Sequence, residues 1–333
     1  MHSPARSWSL FVRTFCLACV AVSAFAFGCA PRDAKSPPTS GEPATFVKVA
    51  PRVGRIAVED NSIDFRLDSE ARAAGSVPNS PVGAAASRRG TPEGVEHPKG
   101  WDFPGSRVHT ESVERERRRE EILAVFDRIV TKKRITYEVI ERTETRNGSP
   151  VVAPPSPLSR RSYIVEAKQS VLVFTDAAGA PVSDAEQKEL ARRSSNLGKP
   201  DPFLEGLPDG PVYPGGPAVG MAAGFLEMFE GTDEANREGP DVGKVDVHFV
   251  GVREEPQGRC GVFAFTIGVQ MAGEPRLSLD LNGEFWVRIS DSAPIRLEAR
   301  GPARLVGRQV IEGVNVQMTG SGQMIGTLRV TYL

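Results

Sequence analysis

The sequence predicts a mainly β (α+β) fold: an antiparallel curved meander or half-barrel sheet with one to three helices. From Gly243 onward, apolar residues recur at every second position in run after run, the period of strands with one face buried. Gly (33) and Pro (27) punctuate these runs with turns. The 333 residues are 40% hydrophobic and 25% charged, a globular composition able to bury a sizeable core.

In chain order, a single β-rich domain spans 44–333 and opens with two short alternating runs. Phe46-Val47-Lys48-Val49 is the first. In the second, Ile63, Phe65 and Leu67 share one side while Asp64, Arg66 and Asp68 take the other. Residues 73–110 are rich in Gly, Ala, Ser and Pro and read as a long mobile insertion, with Trp101 and Phe103 docking its end. Over Glu111 to Val130, Ile122, Leu123, Val125, Phe126, Ile129 and Val130 fall at helical spacing behind a charged run, Glu114 to Glu121. That spacing favours an amphipathic helix, whereas Asp127-Arg128 would fit a turn between two strands. The run mixes signs, so a solvated face is expected rather than a patch for nucleic acid or anionic lipid.

Arg134 to Thr145 alternates through Ile135, Tyr137 and Val139, and Ser162 to Thr175 through Tyr163, Val165, Ala167, Val171 and Val173. Asn147-Gly148 between them is a hairpin-type turn pair. Ser183 and Glu186 form a capping-box pattern and Gly198 stands where such a helix would end, so Asp184 to Leu197 is predicted helical. Pro200 to Pro217 reads as a loop, and Ala218 to Phe229 as a helix with Met221, Phe225, Leu226 and Phe229 inward. The meander then carries Val245, Val247 and Phe249; Phe263, Phe265, Ile267 and Val269; Leu277, Leu279 and Leu281; Phe285, Val287 and Ile289; and Ile295 and Leu297. It ends on Val314, Val316 and Met318, then Leu328, Val330 and Tyr332. Gly320, Gly322 and Gly326 are expected at bulges or bends of the last strands.

The N-terminus supplies an address. Arg6 and Arg13 precede the apolar run Thr14 to Phe27, which has the length of a signal-peptide core and is too short to span a bilayer. Cys29 follows the small residue Gly28 at the end of this run, a pattern that resembles bacterial lipoprotein signals. The resemblance implies removal of residues 1–28 as a signal peptide and a diacylglyceryl group on the Cys29 thiol, with residues 29–43 as a flexible tether. Ala30 is similar to the residue found after the cysteine in lipoproteins sorted to the outer membrane, so the expected place is the bacterial envelope, lipid-anchored there. Ala24-Phe25-Ala26 alternatively fits an ordinary cleavage site, and cutting near Ala26 would release the protein to the periplasm. Cys16 and Cys19 leave with the signal. Cys260 is then left alone and is expected as a small buried hydrophobe.

Val49-Ala50-Pro51-Arg52-Val53-Gly54, Gly179-Ala180-Pro181-Val182-Ser183 and Leu207-Pro208-Asp209-Gly210-Pro211-Val212, with the meander behind them, resemble the uncharacterised lipoproteins of myxobacteria and related bacteria. That family brings no activity with it. At fold level, a curved meander with helices in its concavity is similar to the half-barrels of lipoprotein carriers.

Scarce residues limit the chemistry. Of four histidines, His2 lies in the signal, His97 and His109 in the insertion, and His248 on the polar side of a strand. No metal-ligand spacing, nucleophile elbow or phosphate-binding loop is present, so no catalytic residue, metal or cofactor is expected. Asp280 and Glu284 are the acids nearest to a glycosidase-type pair. With a formal net charge of -1, the chain has no field to gather nucleic acid. These features point to a non-enzymatic envelope lipoprotein that presents a surface or groove. Phe263, Phe265, Leu279, Phe285 and Val287 form an apolar face for a lipid or similar ligand, or else the core beneath the helices. The alternatives are a structural role with an envelope protein as partner, and an envelope hydrolase.

Overall fold

The computed structural model describes residues 41–73, 106–152, 154–169, 171–194, 196–230, 241–271, 273–311 and 314–333. The signal peptide, Cys29, nearly all of the tether, and Trp101, Phe103 and His97 in the insertion lie outside them.

Eleven strands make one antiparallel sheet. They are β1 (Ile56–Ala73), β2 (Arg107–Phe126), β3 (Ile129–Arg146), β4 (Ser149–Val151), β5 (Ser162–Lys168), β6 (Val171–Asp176), β7 (Asp241–Glu255), β8 (Gly258–Gln270), β9 (Arg276–Arg288), β10 (Pro294–Ile311) and β11 (Val314–Tyr332). Three helices, α1 (Asp184–Arg193), α2 (Pro202–Gly206) and α3 (Val219–Glu230), complete the described elements. The spatial order is β6-β5-β3-β2-β1-β11-β10-β9-β8-β7, with β4 also on β3. The sheet is curved and unclosed, as the alternating runs predict, and β6 and β7 remain its edges. Along β7 the edge is partly occupied: Gly215 donates to the Phe249 carbonyl, Phe249 to Gly216, and Ala218 to Val247. This blunts a strand that would otherwise offer its unpaired groups to another chain.

Residues 111–126 are strand, not helix. Asp127 and Arg128 form the tight turn, both at positive φ (46° and 66°), as a two-residue hairpin requires. The helical spacing of Ile122 to Val130 loses because the charges before it have partners only in extended form. Alternation turns Glu114, Glu116 and Arg118 inward and leaves Arg115, Arg117 and Arg119 exposed. Only half of that run is therefore a solvated face.

Three smaller expectations change. Phe46 lies in a strap before β1, not in a strand, and its ring packs on Phe249 and Phe263 where Gly261 leaves room. In β3 a bulge shifts the register between Arg117 and Arg118 of β2, so Ile135 and Tyr137 are buried while Val139 pairs with exposed Arg117. In β11 the register with β1 runs unbroken from Ala57↔Tyr332 to Ala73↔Val316, so Gly320, Gly322 and Gly326 sit at no bulge. A side chain at Gly322 would run into the carbonyl of Arg66 on the neighbouring strand, so close approach is what glycine permits there.

Helix α1 carries the predicted capping box, Ser183 and Glu186 each bonding the other's backbone, and Gly198 follows at φ +82°. Helix α2 interrupts the expected loop. Asp201 caps it by accepting from the Phe203 and Leu204 amides, and Pro202 occupies its first turn.

Candidate functional site

The inner face of the sheet, the one covered by the helices, is where the sequence-predicted residues converge. One cross-strand row shows how it is built. Phe249, Phe263, Phe285, Leu297 and Leu328 lie side by side from β7 to β11, followed by Asn61 on β1, Glu116 on β2 and Ile140 on β3. Partners in a row share a face. The face is therefore apolar on one side of β1 and polar on the other.

On the apolar side, Phe263, Phe265, Leu279, Phe285 and Val287 come together as predicted, all no more than 4% exposed. Segments of the chain itself cover them. Phe203 of α2 stacks on Phe285 at 5.0 Å between centroids, Phe225 of α3 on Phe265 at 4.9 Å, and the two helical rings meet edge-on at 5.0 Å. Glycines let the helices cross closely: a Cβ at Gly220 would stand 2.5 Å from the Gly206 carbonyl oxygen, and one at Gly224 2.7 Å from that of Pro202.

Across β1 the face is charged. Arg118, 1% exposed, holds Glu59 at 2.6 Å and Glu120 at 3.2 Å, and Lys133 meets Glu120 at 3.1 Å. Arg193 of α1 pairs with Glu116 and, at 2.9 Å, with Glu189. Burial pushes Glu59 up to about 7 even beside Arg118. Burial also works against the Arg118 charge, but Glu59 and Glu120 outweigh it and hold the guanidinium above its ordinary range. Burial lowers Arg193 to about 10 and raises Glu189. The Tyr137 ring, wholly buried, lies 5.7 Å below the Arg193 guanidinium. Beyond it, Leu190 of α1 packs with Ile135, Tyr163 and Val165, and Tyr163 donates to Glu186 at 2.7 Å. Its β2 residues belong to the run Glu114 to Glu121, which the sequence alone assigns to a solvated face. Its signal is nevertheless present: from Glu114 to Glu120 the acids fall on even positions, and the odd positions are all Arg.

The other residues weighed for chemistry do not converge. Asp280 and Glu284 are four residues apart on one strand, about 13 Å, too far for a glycosidase pair. Asp280 is exposed and Glu284 holds Arg253 at 3.1 Å. His248 is exposed on β7, and His109 belongs to β2, where its ring bonds Asp68 at 2.7 Å, which raises its pKa. Cys260 is buried with Val262, Trp286 and Ile295, and burial pushes its thiol up to about 12. Among the described residues no group of three His, Cys, Asp or Glu side chains is placed to hold a metal ion. A cleft of about 380 Å³ between the β2–β3 turn and α2 is lined by Asp127, Arg128, Ile129, Pro200, Asp201, Leu204 and Glu205, and its Asp201 is committed to capping.

No protein-family profile and no curated protein matches the chain. Among solved structures, a lipovitellin structure concerned with lipid–protein interactions aligns at 9% identity and TM-score 0.29, over 84% of this chain and 26% of that one. The chain thus spans about a quarter of the lipovitellin chain. A Pseudomonas aeruginosa FadL homologue aligns at 10% identity and TM-score 0.17, over 83% of this chain and 90% of that one.

Proposed function

We propose that the protein is a non-enzymatic lipoprotein of the bacterial envelope, anchored through Cys29, whose inner sheet face binds an apolar ligand such as an acyl chain. The observation that supports this most is the size of the apolar face relative to its helical cover. Apolar inner residues extend along β11 from Val330 to Val316, about 48 Å, and across β1 and β7 to β11. Helix α3, with 12 residues, is about 18 Å long, and α2 has only five residues. Beside Phe203 and Phe225, the helical segment buries Leu207, Ala218 and Met221 in the same core. An acyl chain of about 16 carbons gains about 12 kcal/mol at about 0.8 kcal/mol per methylene buried. Burying Phe203 and Phe225 contributes roughly 3–6 kcal/mol. On this reading the chain takes the place of those two rings on Phe265 and Phe285 and restores the apolar area that their departure uncovers.

Native mass spectrometry after gentle purification tests this: a bound lipid mass is expected, and a ligand-free protein that also takes up no fluorescent fatty acid would overturn it. Cys29→Ser tests the anchor, with detergent-phase partitioning lost if the thiol is lipidated and unchanged if it is not.

The second reading, an interaction role, draws support from edge strand β6, where Val171 is 64% and Val173 38% exposed. Crosslinking in membranes should then capture one specific envelope protein through β6, and recovery of monomer alone would refute it.

A further inference from the structure

We infer that the seam at Asn61 is a subsite for the uncharged polar group of an amphiphile, an ester or hydroxyl, whose acyl chain lies on the apolar half of the face. The inference rests on the apolar-ligand reading above and names the class of ligand. Asn61 is 3% exposed, yet neither its side-chain oxygen nor its nitrogen has a hydrogen-bond partner among the described residues. A buried amide left unpaired is costly, so its one acceptor and two donors are an unmet demand at a fixed place. That place is the boundary itself. Leu328 is its neighbour on one side and Glu116 on the other, and Ile63 follows it on the same face of β1. Phe285 lies three strands away in the same row, about 14 Å, well within the length of an acyl chain.

The surrounding charges select against an anionic headgroup. Glu116 is committed to Arg193 and Glu59 to Arg118, and Glu114 on the next row also faces Arg193 at 3.9 Å, so among the described residues no cation there is left over for a carboxylate or phosphate. What the seam offers is a neutral donor and acceptor. Tyr137, on the next row and two strands over, adds a second one, for its buried hydroxyl also lacks a partner among the described residues. An amphiphile with an ester and free hydroxyls, such as a monoacylglycerol, satisfies the demand at Asn61; a plain hydrocarbon does not.

The test uses the delipidated full chain and displacement of a fluorescent fatty probe by monooleoylglycerol, 1-octadecene and oleate. Monooleoylglycerol should bind about tenfold tighter than 1-octadecene, the worth of one or two net hydrogen bonds. Asn61→Leu, which fills the site without a polar atom, should erase that preference. Asn61→Ser, which keeps one donor and acceptor, should retain part of it. If Asn61→Leu keeps the full preference, if wild type shows none, or if oleate binds tightest, the inference falls while the apolar-ligand reading stands. If no probe binds wild type, the apolar-ligand reading itself fails.

Discussion

Arg118→Met removes one charge from the interior while keeping an unbranched apolar stem in its place. Arg118 lies 2.6 Å from Glu59 and 3.2 Å from Glu120, and Lys133 stands 3.1 Å from Glu120 alone. After the substitution Glu120 keeps a cation and Glu59 loses the one it holds. Breaking a buried pair in this way costs about 3–5 kcal/mol. The cost depends on pH, because Glu59 titrates near 7 even with Arg118 beside it. Without the guanidinium it stays protonated in the fold while the unfolded carboxyl ionises near its ordinary value. The variant should therefore lose about 1.4 kcal/mol for each further pH unit above 7, where the wild type has levelled off. Guanidinium denaturation at pH 7 and pH 9 measures both effects as midpoint shifts at constant slope. Glu59→Gln/Arg118→Met, with both charges gone, should regain most of the stability. A loss under about 1 kcal/mol at pH 9, or a double variant no better than the single one, would refute the pairing argument.

Gly224→Val puts a side chain against the Pro202 carbonyl, 2.7 Å from the Cβ position, and should loosen α3 from α2 with faster amide exchange in α3 and an unaltered sheet. Cys260, its thiol near 12, should resist thiol reagents at pH 8 until the protein unfolds; rapid labelling of the native protein would show that the site is open. Glu186 is held down at about 2 by hydrogen bonds from Ser183 and Tyr163. Its folded pKa lies below the unfolded one, so its stabilisation is complete above about 4.5 and vanishes as pH falls towards 2. Ser183→Ala should cost about 0.5–2 kcal/mol at pH 6 and much less at pH 2.5, read from thermal melts. An equal cost at both pH values would contradict the assignment.

The legibility of this chain follows from which half of the sheet is apolar. In β7 to β11 the inner side of a two-residue alternation is apolar, so hydrophobicity alone reveals strand, face and the five clustered residues, even though Cys260, Val262, Trp286 and Ile295 bury a patch of the opposite side as well. The capping box of α1 and the Asn147-Gly148 turn, at φ 50° and 76°, are equally local and equally legible. In β2 the inner positions are Glu114, Glu116, Arg118 and Glu120, and a scale that expects charge outside inverts the pattern. Their burial depends on Glu59 and Arg193, 59 and 77 residues away from their partners in the chain, which no local window contains. The β3 bulge is hidden for the same reason, because it exists to set Tyr137 opposite Arg118.

The helices are matched to the two halves by chemistry, and this decides which of them a ligand can displace. Helix α1 brings Arg193 to Glu116 and Glu114 of β2, so lifting it would strand buried carboxylates at about 3–5 kcal/mol for the pair broken. Helices α2 and α3 bring Phe203 and Phe225 to Phe285 and Phe265, contacts whose worth is area removed from water. An acyl chain restores that area but cannot replace a guanidinium. If the proposed acyl ligand binds, entry would be favoured on the β8–β9 side of the sheet, and a chain advancing along the row from there would come to rest where this run of apolar residues ends, at Asn61. On that proposal β1 would be the strand that limits how far an apolar ligand can travel.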